Sequence, residues 1–171
     1  IYEFGAGTGH NLVELSKIFP NKKLFGSDFV RSSIKILKLI TKRKKVNLNS
    51  FYFDMLKPNH KVKLLNNSAI YTSGAVEQLS GNIDKFLKYI VLQRPRIILH
   101  VEPCIDFYDD KNLTDYLGKM FQTRRKYTSN LLSKLKNLEK KGDIKIVKVC
   151  KSPFGSLMME GYNLIVWKIN D

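Results

Sequence analysis

The sequence has few cysteines and no long apolar run. Its two cysteines, Cys104 and Cys150, are too few for a disulfide framework and lack the spacing of metal ligands. No stretch approaches the roughly 18 uncharged apolar residues that a membrane-spanning helix needs, and the N-terminus has no basic-then-apolar secretory pattern. These absences predict a cytoplasmic protein with buried, reduced thiols and without a membrane partner.

Acidic residues and arginine are also scarce. The 30 Lys and Arg residues outnumber 15 acidic ones, which gives a formal net charge of +15, and most of the 30 are lysine. Positive charge favours partners that carry phosphates, but bidentate recognition of phosphates and bases favours arginine over lysine. The composition therefore keeps nucleic acid open as a partner while disfavouring it, and we expect the dense runs at 42–45 and 124–126 on exposed helix surfaces.

Length and periodicity indicate one α/β domain over residues 1–171. The chain is 43% hydrophobic and long enough for one continuous core, and it contains no repeat or low-complexity linker. Apolar runs of strand length alternate with segments of helical periodicity. The predicted strands cover residues 1–4, 23–28, 49–54, 68–73, 96–101, 143–149 and 162–167.

The segments between these strands have helical patterns. Ser32 and Ser33 are predicted to cap the second helix, a helical stretch is predicted from Val76 to Ile90, and one long helix is predicted over 113–141, followed by Gly142 as its C-cap. The alternation predicts a doubly wound, mostly parallel sheet of about seven strands with an antiparallel C-terminal edge strand. Because residue 1 already lies in the first strand, we expect an N-terminal segment to precede the chain.

A glycine-rich turn joins the first predicted strand to the first helix. Residues 3–9 read Glu-Phe-Gly-Ala-Gly-Thr-Gly, the spacing E-x-G-x-G-x-G. Glycines in such a turn permit positive φ and close approach of a ligand, and the helix N-terminus offers unpaired N–H groups. The dinucleotide-binding spacing G-x-G-x-x-G would need a glycine at position 10, which is His10. The pattern thus indicates a cofactor site other than a dinucleotide site, or, less favoured, a purely structural turn.

This segment resembles the first motif of the class I S-adenosylmethionine-dependent methyltransferases. In that family the glycine turn lies beside the methionine and ribose portions of the cofactor, and the acid at the start of the motif helps to hold the ammonium group. The resemblance implies S-adenosylmethionine as the cofactor. It also implies a binding role for Glu3, Gly5, Ala6, Gly7 and Gly9.

Later residues extend the resemblance in the same order as in the family. Asp28, followed by Phe29, matches the acid that binds both ribose hydroxyls, and as a carboxylate at the open end of a strand it is expected to contribute little to the core. Asp54 matches the acid that binds the adenine amino group, with Met55 packed against the ring, although Asp54 alone is better explained as a cap or Asx-turn residue. Ser73 opens the segment that passes the methionine end of the cofactor.

The resemblance implies methyl transfer, and the acceptor that we predict is a hydroxyl or amine of a small molecule or sugar-like metabolite. A hydroxyl acceptor would benefit from a general base. The candidate bases are His100, Glu102, Asp106, Asp109 and Glu160, and Glu102 and His100 are the predicted catalytic residues. His100 also fits a core histidine, Glu102 could instead hold a backbone N–H, and His10 could either cap a helix or reach the cleft.

The absence of two kinds of motif disfavours other functions. Enzymes that methylate exocyclic amines of bases carry an Asn/Asp-Pro-Pro-aromatic motif after the fourth strand, where this chain has Ser-Gly-Ala-Val at 73–76. No set of carboxylates and histidines indicates a metal, so no metal site is predicted. The alternatives that stay open are an RNA or protein methyltransferase and a non-catalytic module that binds the cofactor or a partner.

Overall fold

Strands and helices alternate along the described part of the chain. The computed structural model describes residues 1–128, 130–152 and 161–170. The strands are β1 (Tyr2–Phe4), β2 (Leu24–Asp28), β3 (Leu48–Tyr52), β4 (Ala69–Ser73), β5 (Ile97–Glu102), β6 (Ile144–Cys150) and β7 (Asn163–Ile169). The α-helices are α1 (His10–Ile18), α2 (Arg31–Lys44), α3 (Asp84–Gln93), α4 (Leu113–Arg124) and α5 (Leu131–Lys140). None of these helices combines the length and apolar character needed to cross a membrane.

The strands form one seven-stranded sheet in the order β3-β2-β1-β4-β5-β7-β6. Strands β1 to β5 pair in parallel, whereas β7 is antiparallel to both β5 and β6. The predicted doubly wound, mostly parallel sheet is confirmed. The antiparallel strand lies between β5 and β6 and not at the edge. Strand β6 is the edge strand, and its exposed Lys145 and Lys148 suit a strand that pairs on one side only.

The core lies on both faces of the sheet. On one face, α3 and α5 pack against buried side chains of β1, β4, β5 and β7, which include Phe4, Ile70, Ile98 and Trp167. On the other face, α1 and α2 cover a smaller cluster formed by Ala6, Leu12, Leu24, Leu37 and Leu48. Each fully buried large apolar side chain contributes roughly 1.5–3 kcal/mol relative to an exposed one.

The long helix predicted over 113–141 is wrong, because two helices, α4 and α5, occupy this segment. The chain leaves the helical path at Lys126, which has φ 56°. Thr128 then binds a short 3-10 helix (Val76–Leu79): its N–H donates to the Glu77 carbonyl at 2.7 Å and its hydroxyl donates to the Val76 carbonyl at 2.8 Å. These tertiary hydrogen bonds replace helical ones that the sequence pattern predicted.

Three smaller predictions about helix bounds and caps can be compared with the structure. The helical stretch predicted from Val76 to Ile90 is the 3-10 helix and α3, separated at Gly81, which has φ 79°. Ser32 and Ser33 do not cap α2, which begins one residue earlier at Arg31. Gly142 does follow the end of α5 with φ 83°, and its N–H donates to the Glu139 carbonyl at 2.9 Å.

The two cysteines differ in environment. Cys104 is buried, as predicted, but Cys150 at the end of the edge strand is exposed. An edge strand covers only one side of its backbone, which leaves the last side chains of β6 open to solvent.

Candidate functional site

A cavity of about 720 Å³ opens at the carboxyl ends of β1, β2 and β4. Ligands in open α/β sheets bind at these strand ends, and a volume of this size suits a cofactor-sized molecule. Of the predicted cofactor residues, the cavity is lined by Glu3, Gly5, Ala6, Gly7, Asp28, Phe29, Asp54, Met55 and Ser73. The topology therefore brings side chains from four separate segments of the sequence to one wall.

Gly9 is the exception among the predicted cofactor residues, because it does not line the cavity. A Cβ at this position would lie 2.4 Å from Cδ2 of Leu37 on α2. Gly9 precedes α1, so its missing side chain lets α1 pack closely against α2. Its binding role is corrected to a packing role, which the glycine spacing alone does not distinguish.

The glycine turn has left-handed backbone at Gly5 and Gly7, with φ 73° and 52°. A Cβ on Gly5 would lie 2.3 Å from Cβ of Ala75, whereas a Cβ on Gly7 would meet no heavy atom within 4 Å. Gly5 is therefore required for packing of the turn against the segment after β4. Gly7 faces open space in the cavity, where a ligand can approach the backbone.

This difference predicts unequal effects of two alanine substitutions. We expect Gly5→Ala to cost about 3 kcal/mol or more of folding stability, since it adds a steric clash to an unfavourable φ. Gly7→Ala should cost only about 1–2 kcal/mol, the cost of the left-handed backbone. Urea unfolding of both variants measures the two values, and equal losses would contradict the packing role of Gly5.

Glu3 is a buried carboxylate with one oxygen hydrogen-bonded and the other without a partner among the described residues. Asn11 on α1 donates its side-chain N–H to Oε1 at 2.8 Å, and Oε2 has no hydrogen-bond partner among the described residues. Burial raises the pKa of Glu3 to about 7, and the bond from Asn11 opposes that shift. A buried carboxylate without a partner is unfavourable by itself, so this site is suited to a cationic ligand group. Asn11 was missed in the sequence because it falls outside the glycine motif.

Asp28 ties the glycine turn to the start of α2. Oδ2 accepts the N–H of Gly7 at 2.9 Å and Oδ1 accepts the N–H of Val30 at 2.8 Å. The residue is 7% exposed. The expectation that Asp28 contributes little to the fold is therefore wrong, because its removal leaves two backbone N–H groups without their acceptor.

Asp54 forms the turn that its local sequence favours. Its Oδ1 accepts the N–H of Leu56 at 2.8 Å, an Asx turn. The same residue and Met55 line the cavity. The turn also explains why β3 ends at Tyr52, two residues earlier than predicted. Asp54 thus forms an Asx turn and also lies on the cavity wall.

His100 does not reach the cavity, which corrects its prediction as a catalytic residue. Its ring is fully buried, shares a hydrogen bond of 2.8 Å between Nδ1 and Thr72 Oγ1, and stacks on Trp167 with ring centroids 6.1 Å apart. Burial lowers its pKa to about 3. An uncharged imidazole in the core between two strands is a structural group, as the alternative interpretation held.

Glu102 has a structural role as well, because it holds the 3-10 helix. Its carboxylate accepts the backbone N–H groups of Ala75 and Val76 at 3.2 Å each and of Glu77 at 3.3 Å. Burial raises its pKa, while bonds from Thr72 and these N–H groups oppose the shift. Glu102 is 1% exposed and is not part of the cavity wall, so its prediction as a general base is corrected.

The other candidate bases are also occupied or lie elsewhere. Asp106 accepts the backbone N–H groups of Leu132 and Ser133 at the start of α5, and Asp109 accepts the N–H of Lys111. Glu160 lies outside the described residues. His10 is exposed, opens α1 and lines the cavity, which favours its alternative as a cleft residue.

Similarity to solved structures supports the same fold. The methyltransferase domain of bacterial CtHen1-C is similar with a TM-score of 0.69 and 16% identity, covering 99% of this chain and 89% of that chain. LepI in complex with S-adenosylmethionine has a TM-score of 0.67 at 12% identity, and this chain spans 42% of it. The O-methyltransferase NcsB1 from neocarzinostatin biosynthesis, in complex with S-adenosylmethionine and 2-hydroxy-5-methyl naphthoic acid, has a TM-score of 0.68 at 8% identity, with 48% of that chain covered.

The chain has the class I methyltransferase fold. The sequence identities to these neighbours, 8% to 16%, are too low to show more than the fold. A further neighbour, with a TM-score of 0.69, is described as a pericyclic reaction enzyme, so similar structures support different reactions. No protein-family profile and no curated protein sequence matches the chain.

Proposed function

We propose that the protein is a methyltransferase that binds S-adenosylmethionine in the cavity at the ends of β1, β2 and β4. The observation behind the proposal is that one cavity brings together a left-handed glycine turn, the carboxylate of Glu3 with its unpartnered oxygen, and the carboxylates of Asp28 and Asp54. These groups offer acceptors for a cation, for hydroxyls and for an amine within one wall. The class I methyltransferase fold supports this assignment by analogy.

The residues present fit the chemical groups of the cofactor. Glu3 would hold the ammonium group of the methionine portion, because one of its carboxylate oxygens has no hydrogen-bond partner among the described residues. Asp28 would hold the ribose hydroxyls: each of its oxygens already accepts one backbone N–H, and each has a further lone pair. Asp54 would accept from the adenine amino group beside Met55. Gly7 offers its open backbone to the same ligand.

The chain's own catalytic task is positioning. When bound, the cofactor supplies a methyl group on an already activated sulfonium. The protein therefore has to align an acceptor and exclude water, and it needs no nucleophilic side chain. We propose a hydroxyl or amine of a small molecule or sugar-like metabolite as the acceptor. For a hydroxyl acceptor, His10 lines the cavity and has a side chain suited to accept the proton.

We expect the protein to bind S-adenosylmethionine or S-adenosylhomocysteine in preference to NAD. Calorimetric titration with all three ligands measures this preference. NAD binding without a response to either sulfur compound would contradict the proposal. Transfer of a labelled methyl group to pooled hydroxyl and amine metabolites then separates an enzyme from a module that binds the cofactor without turnover.

A further inference from the structure

Glu77 is, like Glu3, a buried carboxylate that has an oxygen without a hydrogen-bond partner among the described residues. It belongs to the 3-10 helix after β4 and is 6% exposed, and its unpartnered oxygen is Oε2. Ala75 and Gln78, on either side of it in the sequence, line the proposed cofactor cavity. An unpaired oxygen on a buried carboxylate is unfavourable, so this position favours a donor that a ligand supplies.

The charged and titratable groups around Glu77 come from three other segments. Glu102 of β5 accepts the Glu77 N–H at 3.3 Å, Arg125 follows α4, and Tyr162 precedes β7. Burial raises the pKa of Glu77 to about 7, the charge of Glu102 adds to this shift, and Arg125 opposes it. Burial also raises the pKa of Tyr162, and the charges of Glu77 and Glu102 raise it further. No described Lys or Arg forms an ion pair with Glu77.

Tyr162 connects this group of side chains to the wall of the cavity. Its hydroxyl lies 3.0 Å from the position that a Cβ would occupy on Gly74, which lines the cavity. The missing side chain of Gly74 therefore lets the phenol approach the wall. Tyr162 is 47% exposed, so this end of the cavity is in contact with solvent. Glu77 and Tyr162 thus adjoin the cavity where the segment after β4 forms its wall.

The charge of this region discriminates between classes of methyl acceptor. The carboxylates of Glu3, Asp28 and Asp54 line the cavity, and no described lysine or arginine does, although the chain contains 30 of them. Glu77 and Glu102 add two carboxyl groups beside it. A negative environment attracts cations and repels anions, so it disfavours acceptors that carry phosphate or carboxylate. A protonated amine would supply both a positive charge and N–H donors to Glu77.

We propose that the methyl acceptor is an amine, and that Glu77, with Tyr162 beside it, binds the protonated amine and accepts one of its protons. This inference rests on the proposed function and narrows the acceptor from a hydroxyl or amine to an amine. The proton transfer converts the ammonium group to a neutral amine with a free lone pair, and the carboxylate to a carboxylic acid. The raised pKa of Glu77 makes this carboxylate a better proton acceptor than an ordinary glutamate.

Calorimetric titration of the S-adenosylhomocysteine complex with paired amines and alcohols tests the proposal. The pairs are ethylamine with ethanol and benzylamine with benzyl alcohol, so the two members of a pair share one carbon skeleton. At pH 8 the amine of at least one pair should bind at least about tenfold more tightly than its alcohol. Its affinity should rise about tenfold between pH 6 and 8, because only ionised Glu77 pairs with an ammonium group.

Glu77→Gln should remove both the preference for the amine and its dependence on pH. The variant should show the circular dichroism of the parent and bind S-adenosylhomocysteine within about twofold of it, because Glu77 is not part of the cavity wall. Glu14→Gln makes the same change at an exposed position of α1 and should leave the amine preference intact. Tyr162→Ala, at a half-exposed position, is a second test and should reduce the preference at least about threefold.

The outcomes separate the acceptor subsite from the cofactor site. If the parent does not bind S-adenosylhomocysteine, the cofactor assignment fails by itself. The same titration on free Glu3→Gln protein, which lacks the carboxylate proposed for the cofactor's ammonium group, still tests Glu77. Equal binding of amine and alcohol in both pairs would overturn the proposal, as would an amine preference that survives Glu77→Gln or Tyr162→Ala.

Discussion

Asp28→Ala is expected to weaken binding of S-adenosylmethionine by about 2–4 kcal/mol, roughly 30- to 1,000-fold in Kd. The reason is the loss of an ionised group that would accept two ribose hydroxyls, since each charge-assisted bond contributes about 1.5–3 kcal/mol with incomplete additivity. The variant should also lose about 1–3 kcal/mol of folding stability, because the N–H groups of Gly7 and Val30 lose their acceptor. Calorimetry and urea unfolding measure the two losses separately.

Two comparison variants separate binding from structure. Asp28→Asn keeps one oxygen acceptor but removes the charge, so it should lie between the parent and Asp28→Ala in affinity. Asp110→Ala removes an exposed aspartate that pairs with Lys119 and should change neither quantity by more than about 0.5 kcal/mol. If Asp28→Ala binds the cofactor as tightly as the parent, Asp28 only ties the turn to α2.

Glu3→Gln should remove a pH dependence that the parent protein has in both stability and binding. Burial raises the pKa of Glu3 from 4.5 to about 7, so the folded protein holds a proton that the unfolded chain releases between these values. Stability of the parent therefore falls as pH rises through this window. Relative to Glu3→Gln, the loss between pH 4.5 and 8 should be on the order of 2–3 kcal/mol.

The dependence of cofactor binding on pH has the opposite sign. An ammonium group pairs with the ionised form of Glu3, so affinity for S-adenosylmethionine should rise with pH up to about 7 and then level off. Glu3→Gln should bind about 100-fold more weakly at pH 8, a loss of about 3 kcal/mol, with little change between pH 5 and 8. Glu14→Gln, on an exposed position of α1, is the control. A parent profile that is flat over this range would contradict the assignment of Glu3.

The mostly parallel α/β sheet and most of the cavity wall were predictable because they depend on local patterns. A glycine turn between a strand and a helix, and acids at the ends of the next two strands, lie at one edge of a parallel sheet by topology alone. Asn11 and the packing role of Gly9 were not predictable in this way. Both depend on a contact between residues that are distant in the sequence, Asn11 with Glu3 and Gly9 with Leu37. A single sequence does not show which residues come into contact in the fold.

The catalytic residues were predicted wrongly for a related reason. His100 and Glu102 lie at the end of the fifth strand, where such folds place ligands, and polar residues there indicate a site. The structure turns both side chains to the side of α3, where Glu102 holds three backbone N–H groups of the 3-10 helix and His100 bonds to Thr72. The alternation of side chains along β5 determined this outcome, and a shift of one residue would have reversed it.

The position of β7 between β5 and β6 also bears on the order in which the protein is made. As the chain leaves the ribosome, β5 has a paired neighbour on only one side until α4, α5 and β6 have been synthesised and β7 follows. During that interval the open edge of β5 presents unpaired backbone groups and the apolar side chains Leu99 and Val101 to other chains. Completion of the sheet is therefore a late event in biosynthesis, and a nascent chain that stalls before Asn163 is exposed to aggregation at that edge.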